Sequence, residues 1–117
     1  MNNYMCVGRL VSDPEVKELE NSKKVTNITI AIPRSYKNAD GEYETDFVDC
    51  TIWNNMAEST SEYCKKGDMI GIKGRLETSV YEKENGEKAK RTSVIAEKIS
   101  FISSRAKDIN NSEPEIA

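Results

Sequence analysis

Between Val25 and Ile32, isoleucines stand at 28, 30 and 32 with Asn27, Thr29 and Ala31 between them, and Pro33 follows. A helix would scatter residues so spaced around its surface, whereas a pleated strand collects them on one side. The segment is therefore a strand with one buried face. The same alternation returns four more times, punctuated by turn residues. Tyr4 to Val11 is closed by Ser12-Asp13-Pro14, because proline cannot donate to a central ladder. Another apolar run begins near Val16 and is broken by Asn21-Ser22-Lys23-Lys24. After Asp40-Gly41, Phe47 to Trp53 puts Val48, Cys50 and Ile52 on one side. Met69 to Tyr81 puts Ile70, Ile72, Leu76 and Val80 on one side, Asn85-Gly86 offers a type I′ turn, and Arg91 to Ile102 returns.

From Asn54 to Lys66 the period changes, and Met56, Thr60, Tyr63 and Cys64 fall on one helical face. Asn54 or Asn55 is the expected N-cap, Lys65 and Lys66 the last turn, and Gly67 the stop. Tyr63 is expected in the core, and Tyr36 in a loop after Pro33. The order is strand, strand, strand, helix, strand, strand. It predicts an all-β chain: a five-stranded oligonucleotide-binding (OB) Greek-key barrel with one short helix between its third and fourth strands. From Arg105 the text turns polar, so the expected division is a domain over residues 1–104 and a short disordered tail over 105–117.

Composition narrows the chemistry. The 117 residues hold no histidine, and Cys6, Cys50 and Cys64 are too far apart for a zinc motif, so no metal or other cofactor is expected. Cys50 and Cys64 read as small buried hydrophobes. No phosphate-binding loop or carboxylate pair suggests catalysis. No apolar run is long enough to span a bilayer and no leader pattern opens the chain, so a cytoplasmic, membrane-free protein is expected. The net charge of −3, about −1 once the last twelve residues are set aside, means that any attraction for phosphate must be local.

Strand parity then separates core from ligand face. Phe47 and Trp53 lie opposite Val48, Cys50 and Ile52, in company with Asp49 and Thr51. Tyr81 shares the outer side with Lys73, Arg75, Glu77 and Ser79. Folding does not call for aromatic rings on polar faces of two strands, whereas stacking of bases does. Basic side chains able to follow a phosphate backbone are Lys73, Arg75, Arg34, Lys37, Lys65, Lys66, Lys88, Lys90 and Arg91.

The ordered set Val7-Gly8-Arg9-Leu10, Asp13-Pro14-Glu15-Val16, Phe47 to Trp53, Ala57-Glu58, Glu62 to Asp68, Gly74-Arg75-Leu76 and Tyr81 before Asn85-Gly86 resembles the bacterial and phage single-stranded DNA-binding protein family. The resemblance runs from about residue 4 to 103. It implies sequence-tolerant coating of single-stranded DNA in replication, recombination and repair, usually by a homotetramer, and base stacking on Tyr36, Phe47, Trp53 and Tyr81. A dimer through the first strand, with Met5 and Val7, is the lesser assembly expected. This chain departs from the family's pattern with Glu77, Ser79 and Val80 before the fourth aromatic and with Asp49 on the ligand face. It also ends in Glu113-Pro114-Glu115-Ile116-Ala117, without the acidic, aromatic-tipped ending that recruits replication and repair proteins. The rival readings are an OB-fold primosome accessory or interaction module binding protein or RNA, and more remotely a small nuclease.

Overall fold

The computed structural model describes residues 1–103; the boundary expected at 104 and the tail of 105–117 lie outside the described residues. In chain order the elements are β1 (Tyr4–Leu10), β2 (Lys17–Glu18), β3 (Lys24–Lys37), β4 (Tyr43–Trp53), α1 (Asn54–Tyr63), β5 (Met69–Glu82) and β6 (Lys88–Ser103). β1 runs antiparallel to β5 from Tyr4↔Gly74 to Arg9↔Met69, and β5 runs antiparallel to β6. β6 meets β4 in parallel at Cys50↔Val94, and β4 pairs with β3 over most of its length. β3 then returns to β1 at Arg9↔Ala31 and Leu10↔Ile30. Five strands thus close on themselves, with the two-residue β2 attached to the start of β3. This is the OB barrel, and its helix joins β4 to β5, the third and fourth of the five long strands when β1 is counted as the first.

Closure follows from which side chains need cover. Ile28, Ile30, Cys50, Ile52, Ile70, Ile72 and Val94 all point inward, and Leu10, Ala57 and Cys64 complete the core. α1 packs against β3 and β4 through buried Ala57 and Thr60, and the Thr60 hydroxyl donates to the Met56 carbonyl at 2.8 Å, which satisfies it inside. Cys50 and Cys64 are buried, as their apolar positions require.

Two hairpins outrun this core, and several expectations fail there. β3 and β4 continue beyond the barrel as one arm, β5 and β6 as another. Leu76 and Val80 hold the parity of Ile70 and Ile72, yet both are exposed because the arm has left the core behind. Tyr36 belongs to the β3 strand and not to a loop, in a stretch where three β3 residues are squeezed between pairs Pro33↔Thr45 and Lys37↔Tyr43. Both arms turn in the same way. Gly86 (φ 86°) donates from its N–H to the Lys83 carbonyl at 2.9 Å, and the Lys83 N–H donates to the Glu87 carbonyl at 2.7 Å. A type I′ turn needs positive φ at both central residues, but here the glycine alone has it; the turn is type I with a left-handed glycine after it. Gly41 (φ 79°) repeats the arrangement after Asn38.

The helix ends also differ from expectation. Trp53 occupies the N-cap position without a side-chain cap, while Asn54 adopts a left-handed φ of 57° and its Oδ1 accepts from the Lys24 N–H at 3.2 Å. The asparagine thus ties the helix start to β3 instead of capping it. The helix stops at Tyr63, so Lys65 and Lys66 lie beyond it, their N–H groups donating to Asp68 Oδ2 at 2.8 Å and Asp13 Oδ1 at 2.7 Å. Tyr63 is 67% exposed, not core; its ring meets exposed Phe101 at 6.2 Å on the outside of the barrel. Helical spacing grouped it with Thr60, but Thr60 and Cys64 are the buried residues at this end of α1, and the Tyr63 ring lies outside against Phe101.

Candidate nucleic-acid interface

The outer face of β4 carries Tyr43, Thr45, Phe47, Asp49, Thr51 and Trp53 in alternation with the buried set. Phe47 is 66% and Trp53 38% exposed, so both rings are open to a ligand despite their size. Six steps of strand separate them by about 20 Å. Between them Asp49 and Thr51 are fixed from the neighbouring strand: Thr29 Oγ1 donates to Asp49 Oδ1 at 2.9 Å, and Thr51 Oγ1 donates to Asn27 Oδ1 at 3.0 Å. These side-chain pairs match the backbone register Thr29↔Asp49 and Asn27↔Thr51.

Across from this strip stands the β5–β6 arm. Asn27, Thr29, Asp49, Thr51, Ser79, Arg91 and Ser93 line one open groove, which continues past Tyr81 and Lys90. Tyr81 is about half exposed. Arg91 Nη2 lies 3.7 Å from Asp49 Oδ2, linking the arm to the strip. Of the predicted site residues, Phe47 and Trp53 flank this trough, and Tyr81, Lys90 and Arg91 line it. Lys88 sits nearer the arm's turn, opposite Glu82.

The remaining candidates are placed elsewhere or already engaged. Arg34 is held by Asp46, through Nε and Nη2 at 2.8–3.2 Å, and by Glu44 at 3.0 Å. The hydrogen bond to Asp46 raises the arginine's already high pKa and lowers that of the carboxyl. Arg75 Nη1 donates to Glu77 at 3.0 Å, and its Nε lies 3.8 Å from Glu97. Lys73 shares parity with Tyr81 but, on the near side of the irregularity at Lys73/Gly74, it lines a separate apolar hollow with Met5, Val7, Lys98 and Ile102. Lys65 and Lys66 stand with Asp13 and Asp68. Tyr36 is exposed on the β3–β4 arm beside Arg34, and does not line the trough.

One aromatic escaped sequence reasoning. Tyr43 follows the parity of Phe47 along β4, is exposed, and has Lys37 Nζ 5.7 Å from its ring centroid. The signal was available in the alternation Tyr43, Thr45, Phe47, had the strand been extended back to the turn at Gly41.

Among the described residues no cluster of His, Cys, Asp or Glu is arranged to hold a metal ion, and no helix is long and apolar enough to cross a membrane. A closed barrel with rings and cations beside a polar trough is the architecture of an OB-fold ligand-binding protein. The profile of the Single-strand binding protein family matches residues 1–102, and the chain belongs to that family. It is 40% identical over 107 residues to single-stranded DNA-binding protein B of Bacillus subtilis, covering 92% of this chain and 95% of that protein. It is also 40% identical over 105 residues to the single-stranded DNA-binding protein of Bacillus cereus, covering 90% of this chain and 62% of the relative, so the chain spans less than two thirds of that protein. Single-stranded DNA-binding protein 1 of Lactococcus lactis is 40% identical over 104 residues, covering 89% of this chain and 69% of the relative.

Proposed function

We propose that this protein binds single-stranded DNA with little regard to sequence and coats it in replication, recombination and repair, without making or breaking bonds. The observation that carries the reading is the pair of exposed rings, Phe47 and Trp53, on the outer face of one strand, with Tyr81 across a polar trough. Bases stack on the rings, at roughly 1–3 kcal/mol each, while Lys90 and Arg91 meet phosphates. Lys88, Lys37 and Tyr36 extend the path along the two arms, and Lys73, Arg75, Arg34, Lys65 and Lys66 serve a strand that wraps farther round the barrel.

Wrapping of that kind requires more than one subunit, and we place the assembly at a homotetramer built on dimers. From Tyr4 to Val7, β1 is paired on one side alone, and Met5 and Val7 are exposed there. A protein of this kind works in the cytoplasm.

The test is a titration of Trp53 fluorescence with oligo(dT), against oligo(rU) and duplex competitors at two salt concentrations. Saturable quenching is expected, and Phe47→Ala and Tyr81→Ala each lower affinity about tenfold. Absence of saturable quenching by any single strand refutes the reading. One observation favours a second reading, an interaction module binding protein or RNA: Arg34, Arg75 and Arg91 all face carboxylates of the chain itself. Quenching by oligo(rU) at lower concentration than oligo(dT) decides for it.

A further inference from the structure

The trough between Phe47 and Trp53 has an unusual lining for a surface that ignores base identity. Thr29 and Thr51 spend their hydroxyl protons on Asp49 and Asn27, while the hydroxyls of Ser79 and Ser93 and the amide nitrogen of Asn27 also line the trough and can donate to base carbonyls. Asp49 differs, because a carboxylate only accepts. One of its oxygens takes the Thr29 hydroxyl at 2.9 Å, which fixes the side chain's direction. The other faces Arg91 Nη2 at 3.7 Å, an ion-pair distance too long for a hydrogen bond, and the side chain remains about half exposed. The carboxylate therefore keeps acceptor capacity, aimed into the trough, within two residues of the Phe47 ring on the same strand face.

We infer that Asp49 reads the edge of a base stacked at Phe47 and selects bases that carry an exocyclic amine, cytosine above all among pyrimidines. The inference rests on the reading of this face as the path of single-stranded DNA. Cytosine presents an N4 amine, whereas uracil and thymine present the O4 carbonyl at the same place, and a carboxylate accepts from the first and repels the second. Arg91 beside it supplies donors for the neighbouring acceptors on the cytosine edge. An otherwise sequence-tolerant surface thus contains one selective position.

Oligo(dC) and oligo(dU) differ at this edge without the thymine methyl, which makes them the probes. Their affinities for the full chain and for Asp49→Asn are measured by quenching of Trp53, at a salt concentration high enough to suppress the phosphate contribution. The amide of asparagine both donates and accepts, so it accommodates either base. The wild-type protein is expected to bind oligo(dC) roughly tenfold more tightly than oligo(dU), the scale of one base-edge contact, and the ratio to fall several-fold in Asp49→Asn. An unchanged ratio overturns the inference, even where both affinities rise together, since that outcome means Asp49 only neutralises Arg91. Failure of every oligonucleotide to quench strikes instead at the single-strand reading beneath it.

Discussion

Gly74 marks the place where β5 leaves the core, and replacing it by alanine tests whether that junction holds both the barrel and the β5–β6 arm. An ideal Cβ at Gly74 would stand 2.0 Å from the Ile95 carbonyl oxygen and 3.2 Å from the Ala96 Cα. Both are backbone atoms of β6, so no rotamer change relieves the clash. Ordinary contact starts near 3.4 Å, which requires β6 to retreat by about 1.4 Å at the point where Gly74 pairs with Ala96. Overpacking of that kind costs about 1–3 kcal/mol. Loss of a buried ladder bond adds about 1–3 kcal/mol. Together they amount to roughly 2–6 kcal/mol, or about 8 °C or more in Tm for a domain of this size. The arm carrying Tyr81, Lys90 and Arg91 pivots with the junction, so affinity for oligo(dT) should fall even at temperatures where the variant is folded. Gly71→Ala is the internal control. Its Cβ would find nothing nearer than 3.5 Å, and the same substitution three residues earlier on the same strand should leave stability unchanged or raise it by about 0.4–1 kcal/mol. Thermal melts of the two variants, with oligo(dT) titrations alongside, decide the matter. Equal losses at both positions, or an unperturbed Gly74→Ala, would refute the steric account.

Three further outcomes follow from the packing and electrostatics. Ile52→Ala removes a fully buried side chain and should destabilise by about 2–5 kcal/mol in urea unfolding, whereas Tyr63→Ala, exposed at the end of α1, should cost under about 1.5 kcal/mol. The Cys6 thiol is pulled down from its ordinary value to about 7, first by its hydrogen bond with Cys50, while that bond and burial push Cys50 up and burial lifts Cys64 to about 11. Alkylation followed by mass spectrometry should therefore modify Cys6 alone in the native protein, slowly below pH 7, and at a rate that climbs through pH 7 and levels off above it. Cys50→Ala should move that midpoint upward. Joint replacement of Glu44 and Asp46 by Ala releases Arg34 from both partners, so the dependence of log K on log salt should steepen by about 0.7, the equivalent of one phosphate; an unchanged slope places Arg34 off the DNA path.

The alternation of Ile28, Ile30 and Ile32, and of Val48, Cys50 and Ile52, by itself determined the strands and the outward direction of Phe47 and Trp53. Both are consequences of the two-residue pleat, a local geometry that a short stretch of chain fixes. The single change of period after Trp53 likewise determined the helix. Parity could not say how far the core extends along a strand. Leu76 and Val80 keep the right phase yet lie beyond the barrel's mouth, because burial depends on what the partner strands place opposite them. The pairing of Arg34 with Asp46 and of Arg91 with Asp49 is equally invisible in the text, since each joins strands whose alignment is set by barrel closure and by the crowding of β3 between Pro33 and Lys37. A list of basic residues therefore does not say which of them stand beside the chain's own carboxylates. Only the closed sheet decided which cations face the chain's own carboxylates and which line the trough beside the rings, because electrostatic attraction acts through space and not along the sequence.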